Sequence, residues 1–458
     1  MKTTFNINRS FLRLALVPVL AFTLACDNLL QPEPTTEISD NRSIYDEKSA
    51  TAALNGTYDN LKESGYYGLD LNFITYLFAD NVKFVGIQTY YKIFIRPDGY
   101  GKTSLQSDNS ALAGVWSAIY KTINSANHLI EKVPLVDDPN FTQEERNDIL
   151  GQAYFIRALS YFDLSRFWGG VQLVLKPTTS PNDVVGIKRS SLEDTYAQVL
   201  ADLAEAEARL TPKSSRIFVD LGAVQALAAR IALYREEWEK AETYASRLIG
   251  NEKYALVKPY AVFYTTKAST ESIFELEFTV SESNPSSNWW RPSELGGRYE
   301  ASLNDVIVGL LKDPATGGNR GDLVLESERR KEIYNGFYWR GQRDDPEYLF
   351  RIAEQYLIRA EARARRNNLA GSLEDLNAVR ERADVPPLDS QSYDTLDKAL
   401  QALEKERRIE FAVENHRFFD LRRTNRLGAV LGEDEGYLFP IPLNQLDRDP
   451  YLEPNPSN

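Results

Sequence analysis

The spacing of small residues in residues 220–249 constrains the fold of this chain more than any other feature of its sequence. The segment, DLGAVQALAARIALYREEWEKAETYASRLI, contains two helical patterns that meet in a polar turn near Glu236 and Glu237. Alanines recur in both patterns, at Ala226, Ala229, Ala241 and Ala245. Because alanine lets two helices cross closely, the segment predicts a helical hairpin.

Comparable helical patterns occupy most of the rest of the chain. One of them begins at Thr142 with an acidic first turn and ends at Gly169, and its middle is apolar on nearly all sides, which indicates a buried helix. The other predicted helices lie in residues 191–210, 346–368, 372–383 and 395–423, with a first one beginning after Ser43. The lengths and the small residues resemble those of tetratricopeptide units, so the sequence predicts a mainly α-helical scaffold of hairpins.

Two long segments interrupt this pattern and are predicted to be loop-rich insertions, about residues 64–110 and 251–345. Both contain many aromatic residues, and the second contains a predicted strand, ESIFELEFTV, in which apolar residues alternate with glutamates. It also contains NPSSNWWRP, residues 284–292, whose prolines and small polar residues disfavour a helix or a central strand. We therefore expect Trp289 and Trp290 in a surface loop, and we expect function to lie in the insertions.

The N-terminus indicates export and lipid attachment. Residues 1–25 have a basic start and a short apolar run, which is the pattern of a signal peptide. This run is too short to cross about 30 Å of hydrocarbon as a helix. Cys26, the only cysteine of the chain, follows TLA and resembles the lipidated cysteine of a bacterial lipoprotein; the alternative is secretion with an incidental cysteine. Residues 26–42 then read as an extended tether, and a single domain is predicted over residues 43–458.

Charge and motif content disfavour several classes of function. The net charge of −13 disfavours binding to nucleic acid, whose phosphates need a basic surface. The chain has two histidines, His128 and His416, and no metal-ligand motif, dinucleotide fingerprint, P-loop or GxSxG sequence. No cofactor, metal ion or catalytic residue is therefore expected. Glu406 and Glu410 lie one helical turn apart beside arginines, and we interpret them as members of an ionic network rather than as a catalytic dyad.

Four segments, in order along the chain, resemble the signature segments of the SusD/RagB family of outer-membrane nutrient-binding lipoproteins. They are GQAYFIRALSYFDLSRFWGGVQLVL, RIAEQYLIRAEARARRNNLAGSLEDLNAVRERA, EKERRIEFAVENHRFFDLRR and YLFPIPLNQLDRDPYLEPNP. The residues that follow Cys26 also resemble the mature N-terminus of that family. The resemblance extends from Cys26 to the C-terminus and breaks down in residues 64–110 and 280–345, where members of the family differ most.

The resemblance implies both a fold and a role. The fold is a mainly α-helical superhelix of tetratricopeptide-like hairpins, with irregular loop-rich insertions and a few short β-strands. The role is that of a cell-surface protein, held to the outer membrane by its lipid alone, that binds oligosaccharides and passes them to a SusC-like TonB-dependent barrel transporter. Such a protein acts as the lid of its transporter and performs no catalysis. A peptide-binding member of the RagB type is an alternative, and a surface lipoprotein glycoside hydrolase is another.

Sugar binding calls for aromatic faces and hydrogen-bonding side chains. The apolar face of a sugar ring stacks on an indole or a phenol, while amide, carboxylate and guanidinium groups bind its hydroxyls. The predicted ligand-binding residues are Asn288, Trp289, Trp290, Arg291 and Tyr299 in the second insertion, and Tyr66, Tyr67, Asp80, Asn81 and Phe84 in the first. At least one of the two adjacent tryptophans is expected to face the ligand; the alternative is that both pack down, one on the scaffold and one under the loop. Replacing either by alanine is expected to leave folding largely intact.

Overall fold

The computed structural model describes residues 43–86, 106–434 and 436–455. The predicted signal peptide, Cys26 and the tether lie outside these residues, as does a large part of the first insertion. Within the described ranges, α-helices form most of the structure, and short β-strands form three two-stranded sheets. No helix of these ranges is both long and apolar enough to cross a membrane.

Sixteen α-helices and six β-strands follow one another in the described residues. The helices are α1 (Glu47–Lys62), α2 (Asp70–Phe78), α3 (Ser110–Lys132), α4 (Gln143–Trp168), α5 (Leu192–Arg209), α6 (Leu221–Tyr234), α7 (Trp238–Ile249), α8 (Val262–Thr265), α9 (Pro285–Trp290), α10 (Asp305–Lys312), α11 (Ile352–Arg365), α12 (Leu369–Arg382), α13 (Leu396–Glu410), α14 (Arg417–Arg423), α15 (Leu427–Leu431) and α16 (Leu443–Leu446). The strands are β1 (Val82–Phe84), β2 (Ser272–Leu276), β3 (Ala301–Leu303), β4 (Val324–Glu326), β5 (Ile333–Asn335) and β6 (Glu347–Arg351).

Helices α6 and α7 form the hairpin that the alanine spacing predicts. The chain turns between them at Glu236, which has a φ of 57°, and the two helices pack against each other while α7 also packs against α11. The contact surface consists of small and branched residues: Ala229, Ala232, Leu233, Ala241, Ala245, Ile358 and Ala362. A second hairpin, α11 with α12, repeats the arrangement. The predicted helical-hairpin scaffold is therefore confirmed.

Helix α4 lies at the centre of the largest hydrophobic core. The Thr142 hydroxyl accepts a hydrogen bond from the Glu145 backbone N–H, and the Glu145 carboxylate accepts one from the Thr142 N–H, which satisfies the start of the helix. Gly169 ends the helix with a φ of 76°, a conformation that favours glycine. Nearly all residues from Ile149 to Trp168 are buried, because α1, α3 and α5 all pack on this helix.

Two predicted helices differ from those observed. The segment 346–368 begins with strand β6, which pairs antiparallel with β2 before α11 starts. The segment 395–423 is not one helix, because α13 ends at Glu410 and α14 begins at Arg417. The interruption reverses the chain, so that Arg407 Nε lies 2.8 Å from Asp420 Oδ2, whereas a continuous helix would separate these two residues by about 20 Å.

Strand β2 confirms the predicted strand in ESIFELEFTV but not its alternation of buried and exposed residues. All five residues of β2 are buried, including Glu275. The register of the pairing with β6 shifts on both sides of Phe274, and the Glu275 carboxylate accepts a hydrogen bond from the Ala268 N–H. The strand is therefore covered on both faces, and the Ala268 N–H is a backbone partner of its buried glutamate.

Candidate ligand-binding site

The two insertions, which are far apart in sequence, form one continuous body. Strand β1 of the first insertion pairs antiparallel with β3 of the second. Ser286 Oγ donates to the Gly68 carbonyl at 2.7 Å, and Asn304 Nδ2 donates to the Asp80 carbonyl at 2.5 Å. The fold therefore brings residues of both insertions together, as a shared ligand site requires.

Trp289 and Trp290 end the short helix α9, so the prediction of a loop at this position is wrong. The Asn284 side chain accepts a hydrogen bond from the Ser286 N–H, and Pro285 occupies the first helical position. Asparagine as an N-cap and proline at the first position both favour the start of a helix. The residues that disfavour a helix interior are here the residues that begin one.

Both indoles are buried, so the expectation that these tryptophans lie at the surface is also wrong, and the alternative that both pack down describes the structure. Trp290 has no exposed surface, and its ring centroid lies 5.8 Å from that of Phe73 and 6.4 Å from that of Tyr338. Trp289 is 6% exposed and contacts Phe73, with the Arg298 guanidinium 4.8 Å from its ring. Ligand contact by Trp290 would require α9 to move, whereas ligand contact by Trp289 stays a prediction.

Arg291 binds the protein backbone instead of facing solvent. Its guanidinium donates hydrogen bonds to the carbonyl oxygens of Trp339 at 3.0 Å, Arg340 at 2.9 Å and Leu295 at 3.2 Å. Arg291 therefore positions the neighbouring segment and has few donors left for a ligand. Asn288 is half-buried and stays a candidate for ligand contact.

Tyr66 and Tyr67 tie the first insertion to α4. Their hydroxyls donate to Asp163 Oδ2 at 2.8 Å and 2.7 Å, and their rings stack with centroids 4.6 Å apart. Burial, together with the negative charge of Asp163, raises the pKa of both hydroxyls well above its usual range. Arg166 pairs with the same carboxylate. Both side chains are therefore buried with their hydroxyls bound to Asp163, and their position does not support the predicted contact with ligand.

Asp80 and Asn81 join the first insertion to α13 and α14. The Asp80 carboxylate pairs with Arg417 at 2.7 Å and with Arg408 at 2.9 Å. Burial alone would raise the pKa of Asp80, but the hydrogen bond and charge of Arg417, with the charge of Arg408, outweigh it and lower that pKa. Asn81 Oδ1 accepts from Arg408 Nε at 2.9 Å, and its Nδ2 donates to the Ala412 carbonyl at 3.2 Å. Both side chains thus have structural partners.

Phe84 and Tyr299 lie at the joined strands. Phe84 is buried in β1 opposite Ala301 of β3. Tyr299 is half-buried just before β3 and has a φ of 51°, a left-handed conformation that is uncommon for a bulky residue. Among the ten residues predicted to bind ligand, Asn288, Asp80 and Tyr299 keep a partly exposed side chain.

The structure exposes a tryptophan that the sequence analysis missed. Trp339 is 43% exposed, whereas the other five tryptophans are buried or half-buried. The Arg340 guanidinium lies 5.0 Å from its ring. Arg291 donates to the carbonyls of Trp339 and Leu295 and so connects their two segments. Leu295 is 40% exposed, and Arg343 donates to the carbonyl of Gly296, the next residue. We call Trp339, Arg340, Leu295 and Arg343 the Trp339 surface.

A sequence signal for Trp339 was present in GFYWRGQRDD. The tryptophan is the last apolar residue before a run of charged and polar residues, and the aromatic residues that precede it, Phe337 and Tyr338, are both buried. The Trp339 surface combines one exposed indole face with the guanidinium groups of Arg340 and Arg343. An aromatic face beside hydrogen-bond donors is the composition that sugar recognition requires.

A buried carboxyl group links the two insertions next to this surface. Glu347 accepts hydrogen bonds from Asn72 Nδ2 of the first insertion at 2.9 Å and from the Tyr338 hydroxyl of the second at 3.0 Å. Burial raises the pKa of Glu347 to about 8, and burial also raises the pKa of Asp345 to about 6. Because Glu347 is buried and both of its oxygens are bound, its raised pKa reflects its place in the junction between the insertions.

Glu406 and Glu410 lie in a buried ionic network, as predicted. Their partners are Arg320, Arg351, Arg380 and Arg382. Glu406 is 2.8 Å from Arg380, and Glu410 is 3.0 Å from Arg351. The network locks α13 against β6, α12 and the second insertion. In the described part of the chain, no three His, Cys, Asp or Glu side chains are grouped as a metal site would need.

Two family profiles match separate parts of the chain. The SusD family profile matches residues 329–436, which contain most of the Trp339 surface. A profile described as starch-binding and associating with the outer membrane matches residues 79–233, which contain β1 and helices α3 to α6.

Relatives are similar over much or nearly all of their length. The SusD-like protein P38 of Formosa agariphila is 25% identical, over 99% of this chain and 99% of its own. A SusD-like protein of Bacteroides ovatus is 23% identical, over 68% of this chain and 65% of its own.

Solved structures share the fold. A SusD superfamily protein of Bacteroides vulgatus superposes with a TM-score of 0.79 at 24% identity, over 90% of this chain and 99% of its own. A laminarin-binding SusD-like protein superposes with a TM-score of 0.74 at 22% identity, over 91% of this chain and 100% of its own. The mainly helical fold expected from the sequence, with few short strands, is therefore confirmed.

Proposed function

Because the chain belongs to the SusD/RagB family, we propose that it is a cell-surface lipoprotein that binds oligosaccharides and passes them to a SusC-like TonB-dependent transporter, over which it acts as a lid. The family is one of SusD-like carbohydrate-binding proteins associated with the outer membrane. The ligand, the partner and the lid motion are the parts that this proposal adds.

The Trp339 surface is the observation that carries the proposal of a glycan ligand. The exposed indole of Trp339 presents an apolar face, and the Arg340 guanidinium lies 5.0 Å from its ring. Three hydrogen bonds from Arg291 fix the backbone on both sides of this face. A rigid aromatic platform loses little conformational freedom when a sugar binds, so more of the interaction energy appears as affinity.

The carboxyl group of Asp345 is held inside the protein, which favours binding over hydrolysis by this residue. Glycoside hydrolysis needs two carboxyl groups roughly 5–9.5 Å apart on either side of the bond that breaks. Asp345, which follows the Trp339 surface in sequence, is buried, and its Oδ1 accepts a hydrogen bond from the Arg340 N–H at 3.1 Å. Glu406 and Glu410 are paired with arginines.

Lipid attachment at Cys26 would leave the domain free to swing on its tether. Residues 27–42 span up to about 55 Å when fully extended. A Cys26→Ala variant of the full chain should leave the outer membrane and appear in the soluble fraction, while the native chain should be isolated from membranes together with a TonB-dependent barrel. Retention of the variant in the membrane, or purification of the native chain without a barrel, would contradict the anchor or the partner respectively.

Affinity electrophoresis of the purified chain tests the ligand. The gels would contain laminarin, because one structural relative binds laminarin, starch, because of the matched family description, or no polysaccharide. We expect retardation in at least one glycan gel without release of reducing ends. Release of reducing ends that is abolished by a single carboxylate-to-amide substitution would instead support the hydrolase alternative, and binding of peptides in place of every glycan would support the peptide alternative.

A further inference from the structure

A groove unrelated to the Trp339 surface lies between helix α3, residues 172–185 and the C-terminal residues 443–452. It consists of a larger cavity of about 780 Å³ and a smaller one of about 270 Å³. The two cavities share the lining residues Gln172, Thr178, Val184, Gln445 and Arg448, so they form one continuous groove. The larger volume falls within the usual range of ligand sites, roughly 300–1,000 Å³.

Side-chain hydrogen bonds hold the walls of this groove in place. Asn124 of α3 donates from Nδ2 to the Thr178 carbonyl at 3.2 Å and accepts from the Thr178 N–H at 2.7 Å. Gln172 donates from Nε2 to the Ile187 carbonyl at 2.5 Å and to Asp449 Oδ2 at 2.9 Å. Three separate stretches of the chain are therefore tied together across the groove, which gives it a fixed shape before any ligand arrives.

Aromatic rings lie at one end of the groove and beside the other. Trp116 and Tyr120 line the smaller cavity with ring centroids 5.0 Å apart, and the Tyr120 hydroxyl donates to the Gln172 carbonyl at 2.9 Å. Tyr451 is 56% exposed; it does not line the larger cavity itself but lies in the chain between Asp449 and Leu452, which do. Its exposed phenol ring is available to stack on a sugar that extends beyond the cavity.

The lining of the groove is mixed in polarity and almost uncharged. Hydroxyl and amide side chains at Ser117, Thr179, Ser180 and Asn182 alternate with apolar side chains at Val184, Val185 and Leu452. Both carboxylate oxygens of Asp449 are engaged, one with Gln172 and one with the Tyr451 N–H. Among the described residues of the lining, Arg448 is therefore the one charged group that is open to a ligand. Aromatic rings at one end, hydroxyl and amide groups along the lining and few charges match a neutral polyhydroxylated chain better than a charged peptide or nucleic acid.

We propose that this groove is a second binding site for a neutral oligosaccharide, with Tyr451 and Tyr120 as stacking platforms and Arg448 and Gln445 as donors to sugar hydroxyls. The choice of ligand rests on the proposed glycan-binding function, but the site shares no residue with the Trp339 surface. Two sites on one chain would let a long glycan be held at two points, which raises its apparent affinity without any change at either site.

Hydrogen–deuterium exchange of the purified chain with neutral glucan hexasaccharides (β-1,3-, β-1,4- and α-1,4-linked) distinguishes the two sites. We expect the bound sugar to slow exchange both in residues 336–345 and in residues 178–186 and 443–452. A Ser117→Trp variant, which places an indole in the smaller cavity from an exposed position on α3, should lose the protection in the groove segments alone. Glu131→Trp, an exposed position near the other end of α3, is the matched control and should behave as the native chain.

Titration calorimetry gives the affinity of each site. In a Trp339→Ala background, Tyr451→Ala should weaken the remaining binding about three- to tenfold, the loss expected for one aromatic contact. Protection at residues 336–345 with no change in the groove segments, or native binding by Ser117→Trp, would overturn the second site and leave the proposed function standing. Absence of binding by the native chain would overturn both. Protection of the groove by a barrel transporter instead of by sugar would overturn the second site in favour of a protein interface.

Discussion

The helical scaffold and the joined insertions keep their shapes by different means. In the scaffold, α6, α7 and α11 meet through alanines and branched aliphatic residues, so the contact depends on side-chain volume. In the insertions, single polar groups make the contacts: Arg291 donates to three backbone carbonyls, and Glu347 accepts from the side chains of Asn72 and Tyr338. Packing by side-chain volume requires small and branched residues at helical spacing, which is visible as a periodic pattern in the sequence. A single polar contact produces no such pattern.

The largest effect should come from Trp290→Ala. Trp290 is fully buried among aromatic rings of both insertions, so truncation should lower the free energy of unfolding by about 3–5 kcal/mol. This replaces the expectation from sequence that folding would remain intact. Trp339→Ala removes the same side chain from an exposed position and should change stability by less than about 0.5 kcal/mol. Urea unfolding of the two variants measures both changes in the free energy of unfolding. Equal losses would contradict the difference between a buried and an exposed indole.

The scaffold should respond to an excess of volume. Ala245 is fully buried between α7 and its neighbours, so Ala245→Leu should destabilise the chain by about 1–3 kcal/mol through overpacking. Thr243→Leu on the exposed side of the same helix is the control and should have an effect near zero. The same unfolding curves measure this pair, and a stable Ala245→Leu protein would show that the helices do not meet through small residues.

The junction of the insertions should respond to pH. The pKa of Glu347 rises from 4.5 to about 8 on folding because the carboxyl group is buried. Protonated Glu347 therefore makes its full contribution to the free energy of unfolding below about pH 4.5, and this contribution is lost as the pH rises toward 8. Glu347→Gln keeps the shape without the ionisation, so its stability relative to the native chain should increase between pH 5 and pH 8, by roughly 3–4 kcal/mol. A difference that does not change with pH would contradict the assignment.

Much of the scaffold could be predicted from sequence because its determinants are local and periodic. The cap at Thr142, the stop at Gly169 and the alanines at Ala229 and Ala245 each predict a feature that the structure contains. The break between α13 and α14 could not be predicted in the same way. The break brings Arg407 to Asp420, a contact between helices that no local pattern encodes.

Less of the candidate site could be predicted. Aromatic residues in a predicted loop pointed to Trp289 and Trp290, but whether an aromatic ring faces the core or the solvent depends on what packs on it. Phe73 of the first insertion covers both indoles, and that contact joins residues more than two hundred positions apart. Asn284 and Pro285 are as compatible with the start of a helix as with a loop, and in the structure they start a helix. That the insertions come together in one body depends on the pairing of β1 with β3, which no local pattern in the sequence indicates.

The most direct test of the central claim is glycan affinity after removal of the exposed indole. Trp339→Ala should weaken binding of the polysaccharide that retards the native chain by about tenfold or more, while its unfolding curve stays native. Trp238→Ala removes a half-buried indole from the scaffold and should leave the affinity unchanged. Native affinity in Trp339→Ala, or an equal loss in both variants, would contradict the assignment of the Trp339 surface as the ligand site.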